Sequence, residues 1–116
     1  LEMYLGMSAT EVNSEGLRGT DEGGKLKEEG IAYWNSPNTG ATNEVGFSAL
    51  PGGSRRWDDF VNQEIYCCLN RYGYFWSSTE VYTVNAWYRV LSFDLQESNR
   101  YHLSKTNAYS LRCVED

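Results

Sequence analysis

Tyr74-Phe75-Trp76-Ser77-Ser78-Thr79, a polar break over residues 80–85, then Ala86-Trp87-Tyr88-Arg89-Val90-Leu91-Ser92-Phe93: the reading of this stretch decides the fold. Aromatic and branched residues dominate it, and these suit the pleated, half-buried surface of a sheet. Residues 100–103 and 109–114 continue the pattern, separated by polar turns at 94–99 and 105–107. Short β-prone runs at this spacing predict an antiparallel meander, with strands near 74–79, 86–92, 100–104 and 109–114.

Upstream of the meander the pattern weakens. Trp57, Phe60, Val61 and Ile65 have rough helical spacing, so residues 55–70 read equally as a helix or as weak structure. Gly46-Phe47-Ser48-Ala49-Leu50 is a brief strand ended by the turn residues Pro51-Gly52-Gly53, and residues 34–42 form a long loop. Asp21-Glu22-Gly23-Gly24 signals a turn, and Lys25-Leu26-Lys27 reads as a short strand or a clamp within a loop. Ser8-Ala9-Thr10-Glu11 fits a capping box and predicts a short helix over residues 9–14. Leu1, Tyr4 and Leu5 fit one helical face, as if the chain opened part-way through a helix, so any targeting segment would lie upstream. Short helices first and a sheet last make an α+β fold in one domain over residues 1–116.

Composition excludes several function classes. With 41% hydrophobic residues the chain can build a core, so it is globular rather than disordered. A formal charge of −6 and no dense Lys/Arg cluster argue against a nucleic-acid partner, which needs a basic stripe. No apolar run approaches the roughly 18 residues of a membrane helix. Cys67, Cys68 and Cys113 are the cysteines; neighbours seldom bridge, and an odd count leaves a thiol free or paired outside the chain. With His102 the only histidine, no zinc site is expected. Trp34, Phe47, Leu50, Phe75 or Trp76, Trp87, Leu91, Leu111 and Val114 are the expected core. Asn43 and Glu44 could offer oxygens to calcium, and Gly52-Gly53 could cradle an anion, but neither carries the surrounding pattern such a site needs. No metal, cofactor or catalytic residue is expected.

Residues 34–55, Trp-Asn-Ser-Pro-Asn-Thr-Gly-Ala-Thr-Asn-Glu-Val-Gly-Phe-Ser-Ala-Leu-Pro-Gly-Gly-Ser-Arg, carry a more specific signal. With Gly73-Tyr74-Phe75-Trp76-Ser77-Ser78-Thr79-Glu80, Ala86-Trp87-Tyr88-Arg89 and Ser110-Leu111-Arg112-Cys113-Val114, the chain resembles the Fibrobacter succinogenes major paralogous domain family over nearly its whole length. The resemblance implies a C-type-lectin-like fold of short helices and a small twisted sheet, in a secreted or surface-anchored bacterial protein. It also implies a missing N-terminal strand and helix start bearing a Cys that would bridge Cys113; without that partner Cys113 would be a buried thiol. Related formylglycine-generating enzymes hold their metal with two non-adjacent cysteines on a strand like residues 86–91, where this chain has none. Lectin-like domains are also targets of diversity-generating retroelements, which vary exposed residues on a fixed scaffold.

The stretches that look individual rather than family-like are 56–72, 81–85 and 94–102. Within or beside them lie Arg56, Trp57, Asp58, Tyr66, Arg71, Tyr72, Tyr82, Asn85, Tyr88, Arg89, Arg100, Tyr101 and His102. Tyr, Trp, Arg and Asn are the types that recur in binding hot spots and paratopes. They are expected to present an exposed, metal-free patch on one face, binding a protein or glycan at the cell surface as an adhesin or receptor-binding module. The competing readings are a structural module of a larger envelope protein and an enzyme of the formylglycine-generating type.

Overall fold

Besides one 3-10 turn, seven segments take regular structure in the computed structural model, which describes residues 1–114. They are β1 (Gly16–Arg18), α1 (Glu22–Leu26), β2 (Ser54–Asp58), β3 (Gln63–Cys67), β4 (Tyr72–Tyr82), β5 (Asn85–Ser92) and β6 (Ser98–Ser104). One four-stranded antiparallel sheet has the order β1-β6-β5-β4, and β2 with β3 forms a separate two-stranded hairpin. The described chain is mostly β with very little helix. Three of the four expected meander strands therefore form, and they run longer than the sequence signal.

The differences from expectation have local causes. The helix at 9–14 shrinks to one 3-10 turn, Glu11–Asn13. The capping box does form: Ser8 Oγ accepts from the Glu11 amide at 3.2 Å, and the Ser8 amide donates back to Glu11 Oε2 at 3.3 Å. The opening residues make turns, with the Leu5 amide donating to Leu1 O at 3.1 Å. Leu5 is buried there, while Tyr4 is 82% exposed, so the two do not share a covered face. Residues 55–70 form a hairpin instead of a helix. Asp58 Oδ1 accepts from the Phe60 and Val61 amides at 3.0 and 3.3 Å and so turns the chain between β2 and β3. Residues 46–50 contribute only a parallel bridge, Lys27 to Ala49. Residues 109–114 form no strand: Ser110 alone bridges Phe75, and the segment beyond it lies exposed.

Helix α1 lies where a turn is expected. Its two glycines are poor helix formers, but backbone must approach closely there. A Cβ on Gly23 would stand 2.2 Å from Glu97 O, and one on Gly24 would stand 2.2 Å from Gly40 O. The helix is thus wedged between the β5–β6 connection and the loop at residue 40.

The core is Leu5, Leu26, Trp34, Ala49 and Leu91, with Val45, Phe47, Phe75 and Phe93 packed against it. Each large apolar side chain buried this way contributes about 1.5–3 kcal/mol. Trp34 also donates its Nε1–H to Ala49 O at 3.0 Å. Leu50, Leu111 and Val114, expected inside, are exposed. Ala49 takes the inward position beside Leu50, and the last two lie on the unpaired C-terminal segment. Trp87 is only half-buried, because its ring is covered by polar side chains: the Arg100 guanidinium lies 3.4 Å from its centroid, and His102 meets it edge-on.

Lys27 is fully buried, and its ammonium is the clamp suggested by the sequence. Its three protons go to Thr39 O at 2.8 Å, Ser92 O at 2.7 Å and Leu95 O at 2.8 Å. Burial pulls its pKa down to about 8, against the opposite pull of Asp94. Asn43 plays a matching part in its own loop, binding the Ser48 amide at 2.7 Å and Ser48 Oγ at 2.8 Å. Among the cysteines, the adjacent Cys67 and Cys68 are joined in a disulfide at the end of β3, although adjacency argues against it. Cys113 is an exposed free thiol rather than a buried one, because the C-terminal segment carries it along the surface.

Candidate functional site

Strand alternation sorts the side chains of the main sheet onto two faces. The register pairs Trp76 with Tyr88, Tyr74 with Val90 and Tyr72 with Ser92, then Tyr88 with Tyr101 and Val90 with Asn99. Opposed residues share a side, so Tyr72, Tyr74, Trp76, Tyr88 and Tyr101 stand on one face. The backbone of Ser110, held to Tyr74 O at 2.9 Å and to the Trp76 amide at 3.1 Å, brings the neighbouring Tyr109 over the same face. Tyr109 stacks on Tyr74 at 5.0 Å and meets Trp76 at 4.5 Å and Tyr88 at 4.8 Å. Tyr88 continues the contact to Tyr101 at 6.2 Å. Six aromatic rings thus form one connected cluster across three strands and the C-terminal segment. Offset and edge contacts of this kind suit the ring quadrupoles and add about 0.5–1.5 kcal/mol per pair.

The cluster borders a groove of about 380 Å3. It is lined by the buried Val90, by Tyr72, Tyr74, Tyr88 and Tyr101, and by the polar Ser92, Asp94 and Asn99. The Ser92 hydroxyl donates to Asp94 Oδ1, and the Tyr101 hydroxyl reaches Asn99 Oδ1 at 3.5 Å. Burial, then the neighbouring Tyr88 and Tyr74, push the Tyr109 hydroxyl well above its ordinary value, while the nearby Arg56 pulls it down. Burial raises Tyr74 and Tyr88 as well. Tyr74, Tyr88 and Tyr109 therefore stay neutral hydrogen-bonding groups at physiological pH.

The opposite face has a different chemistry. Glu2, buried by the opening turn, pairs with Arg18 Nη2 at 2.5 Å and Arg89 Nε at 3.0 Å, and Ser98 Oγ donates to it at 3.2 Å. Burial alone would raise the Glu2 carboxyl, but Arg18 and Arg89 together hold it below its ordinary value. Arg100, over Trp87, donates to Asn13 O at 2.6 Å, and His102 Nε2 lies 3.4 Å from Glu15.

The thirteen sequence-derived positions accordingly fall into groups. Tyr72, Tyr88 and Tyr101 meet on the aromatic face, with Arg56 near its edge. Arg89, Arg100, His102 and Asn85 belong to the opposite face by register, and the first three hold scaffold contacts there. The single patch joining Arg100 to the tyrosines is therefore not formed. Trp57 and Tyr66 stand exposed on the β2–β3 hairpin, where Tyr66 Oη donates to Glu64 Oε2 at 3.1 Å. Asp58 is occupied in the hairpin turn, and Tyr82 is exposed at the far end of β4. Arg71 lies before β4, its guanidinium 5.7 Å from the Tyr72 ring and 5.5 Å from Phe93. Sequence reasoning missed Tyr74, Trp76 and Tyr109. The alternation of Tyr72, Tyr74 and Trp76 marks the first two; Tyr109 carries no local signal, since only the tertiary bridge at Ser110 places it.

Among the described residues no group of three or more His, Cys, Asp or Glu side chains is arranged to hold a metal ion. No helix among them is long and apolar enough to cross a membrane. No match was found among curated proteins or among solved structures. The sequence pattern of the Fibrobacter succinogenes major domain, in contrast, matches residues 1–115. On this match the chain belongs to the Fibrobacter succinogenes major domain family.

Proposed function

We propose that this chain is a ligand-binding module with a C-type-lectin-like scaffold, displayed outside the cytoplasm as an adhesin or receptor-binding domain. One observation carries the reading: six aromatic rings gather on one sheet face beside a groove, while the ionic network that ties the sheet to the opening turn is confined to the other. Tyrosine and tryptophan contribute large contact area at low entropic cost, and such residues recur where proteins recognise partners. In this reading the aromatic face binds rather than catalyses, and the single histidine packs against Trp87 on the face away from the groove. The ligand is a protein or a glycan, and exposed hairpin positions such as Trp57 and Tyr66 extend the surface available to it. Retroelement-driven variation of such positions belongs to the same reading; a reverse transcriptase beside the gene is its test.

The direct experiment is a protein and glycan array probed with the wild-type domain and with Tyr72→Ala/Tyr101→Ala. Anchoring aromatics cost about 2 kcal/mol or more on truncation, so signals from the true ligand should fall more than tenfold while folding survives. Signals indifferent to the substitution would sink the reading and favour a structural module.

A further inference from the structure

We infer that the tyrosine-walled groove accepts a neutral pyranose ring; this rests on the reading of the aromatic face as the ligand-binding face. A pyranose presents C–H groups on its ring faces and hydroxyls around its edge. The groove has the matching layout. Val90 and the rings of Tyr72, Tyr74 and Tyr101 offer apolar and π surface, and Asp94 and Asn99 in the same lining offer hydrogen-bonding groups. Asp94 accepts the Ser92 hydroxyl on Oδ1, which leaves Oδ2 for a sugar hydroxyl. Charge narrows the class. Among the described residues Asp94 is the one ionisable group lining the groove besides tyrosines, and the protons of the nearby Lys27 ammonium go to three backbone carbonyls. An acidic sugar would meet Asp94 inside the groove, with the guanidinium groups of Arg56 and Arg71 outside its lining, whereas a neutral sugar brings hydroxyls that can donate to that carboxylate. Size points the same way. About 380 Å3 falls at the small end of ligand sites, roughly 300–1,000 Å3. A protein epitope needs on the order of 1,000 Å2 of complementary surface, far more than this groove offers.

The test is saturation-transfer NMR with methyl glycosides of glucose, galactose, mannose, xylose and N-acetylglucosamine, and with a methyl uronic acid as the charged control. At least one neutral glycoside should bind with a dissociation constant of order 1 mM, its ring protons receiving most saturation. Tyr101→Ala should weaken that binding about tenfold, the loss of one aromatic contact. Asp94→Asn should weaken it too; because Asp94 also faces Lys27, its thermal melt is recorded alongside, and Tyr101→Ala decides if that variant misfolds. No saturation of any neutral glycoside, tighter binding of the uronic acid, or indifference to Tyr101→Ala would each overturn the inference. If the sugars fail but a protein on the array depends on Tyr72 and Tyr101, the sugar assignment falls and the binding reading stands. If the array signals ignore those tyrosines, both fall.

Discussion

Replacing Lys27 by Met tests how the loops around the sheet are held. The methionine fills similar volume but removes three charge-assisted hydrogen bonds, to Thr39 O, Ser92 O and Leu95 O. Each is worth about 2 kcal/mol. Against that loss stands the cost of having buried an ammonium. Its pKa of about 8, against the ordinary 10.5, corresponds to about 3 kcal/mol that the substitution returns. The balance leaves Lys27→Met less stable by about 3 kcal/mol, a large part of the roughly 5–15 kcal/mol that holds such domains folded. Urea unfolding followed by tryptophan fluorescence measures it, with Trp34 as reporter 5.5 Å from the ammonium. Lys25→Met, whose ammonium is partly solvated, is the control and should unfold near the wild-type midpoint. A loss below about 1 kcal/mol, or any gain, would refute the idea that three carbonyls depend on this one donor.

Three further outcomes follow from the geometry. Glu2→Gln should cost about 3–5 kcal/mol at neutral pH in chemical denaturation, because it strands Arg18 and Arg89 around a neutral amide. Because the folded carboxyl titrates below its unfolded value, its stabilisation is complete above about pH 4.5 and is lost as pH falls through the folded value. Acid unfolding of the wild type should therefore be steeper there than that of Glu2→Gln. Gly24→Ala, usually a gain in a helix, should instead destabilise by about 1–3 kcal/mol as its methyl meets Gly40 O; a raised melting temperature would contradict the packing. Cys113 should react in the native state with a water-soluble thiol reagent, and Cys113→Ser should abolish that reaction.

Strands β4, β5 and β6 were legible because they carry dense β-prone side chains, whereas β1, Gly16–Arg18, has no such signal and was not foreseen. Segments whose state depends on distant partners were opaque. Asp21-Glu22-Gly23-Gly24 reads as a turn, and Lys25-Leu26-Lys27 as a short strand or clamp, because Gly23 and Gly24 are chosen for the backbone they touch, not for the helix they form. Residues 109–114 read as a strand from composition, yet only Ser110 finds a partner. At the candidate site, residue type was legible and facing was not. Tyr88 and Arg89 are neighbours in sequence, but one stands among the rings and the other is held by Glu2. Alternation would have separated them; grouping by segment merged them.

The division of the sheet into an aromatic side and an ionic side has a genetic consequence. Along β5, β6 and β4 as far as Trp76, every second codon specifies a ring-face residue, and the codons between them specify residues of the opposite face, the ionic anchors among them. Substitutions can therefore rewrite the recognition surface one position at a time while the architecture is inherited intact. Deleting a single codon is a different event. It shifts the register by one and exchanges the two sides, sending Arg89 among the tyrosines and leaving Glu2 facing a phenol. Such a domain tolerates changes of spelling on one side but not the loss or gain of a whole codon within a strand, even though the reading frame is kept.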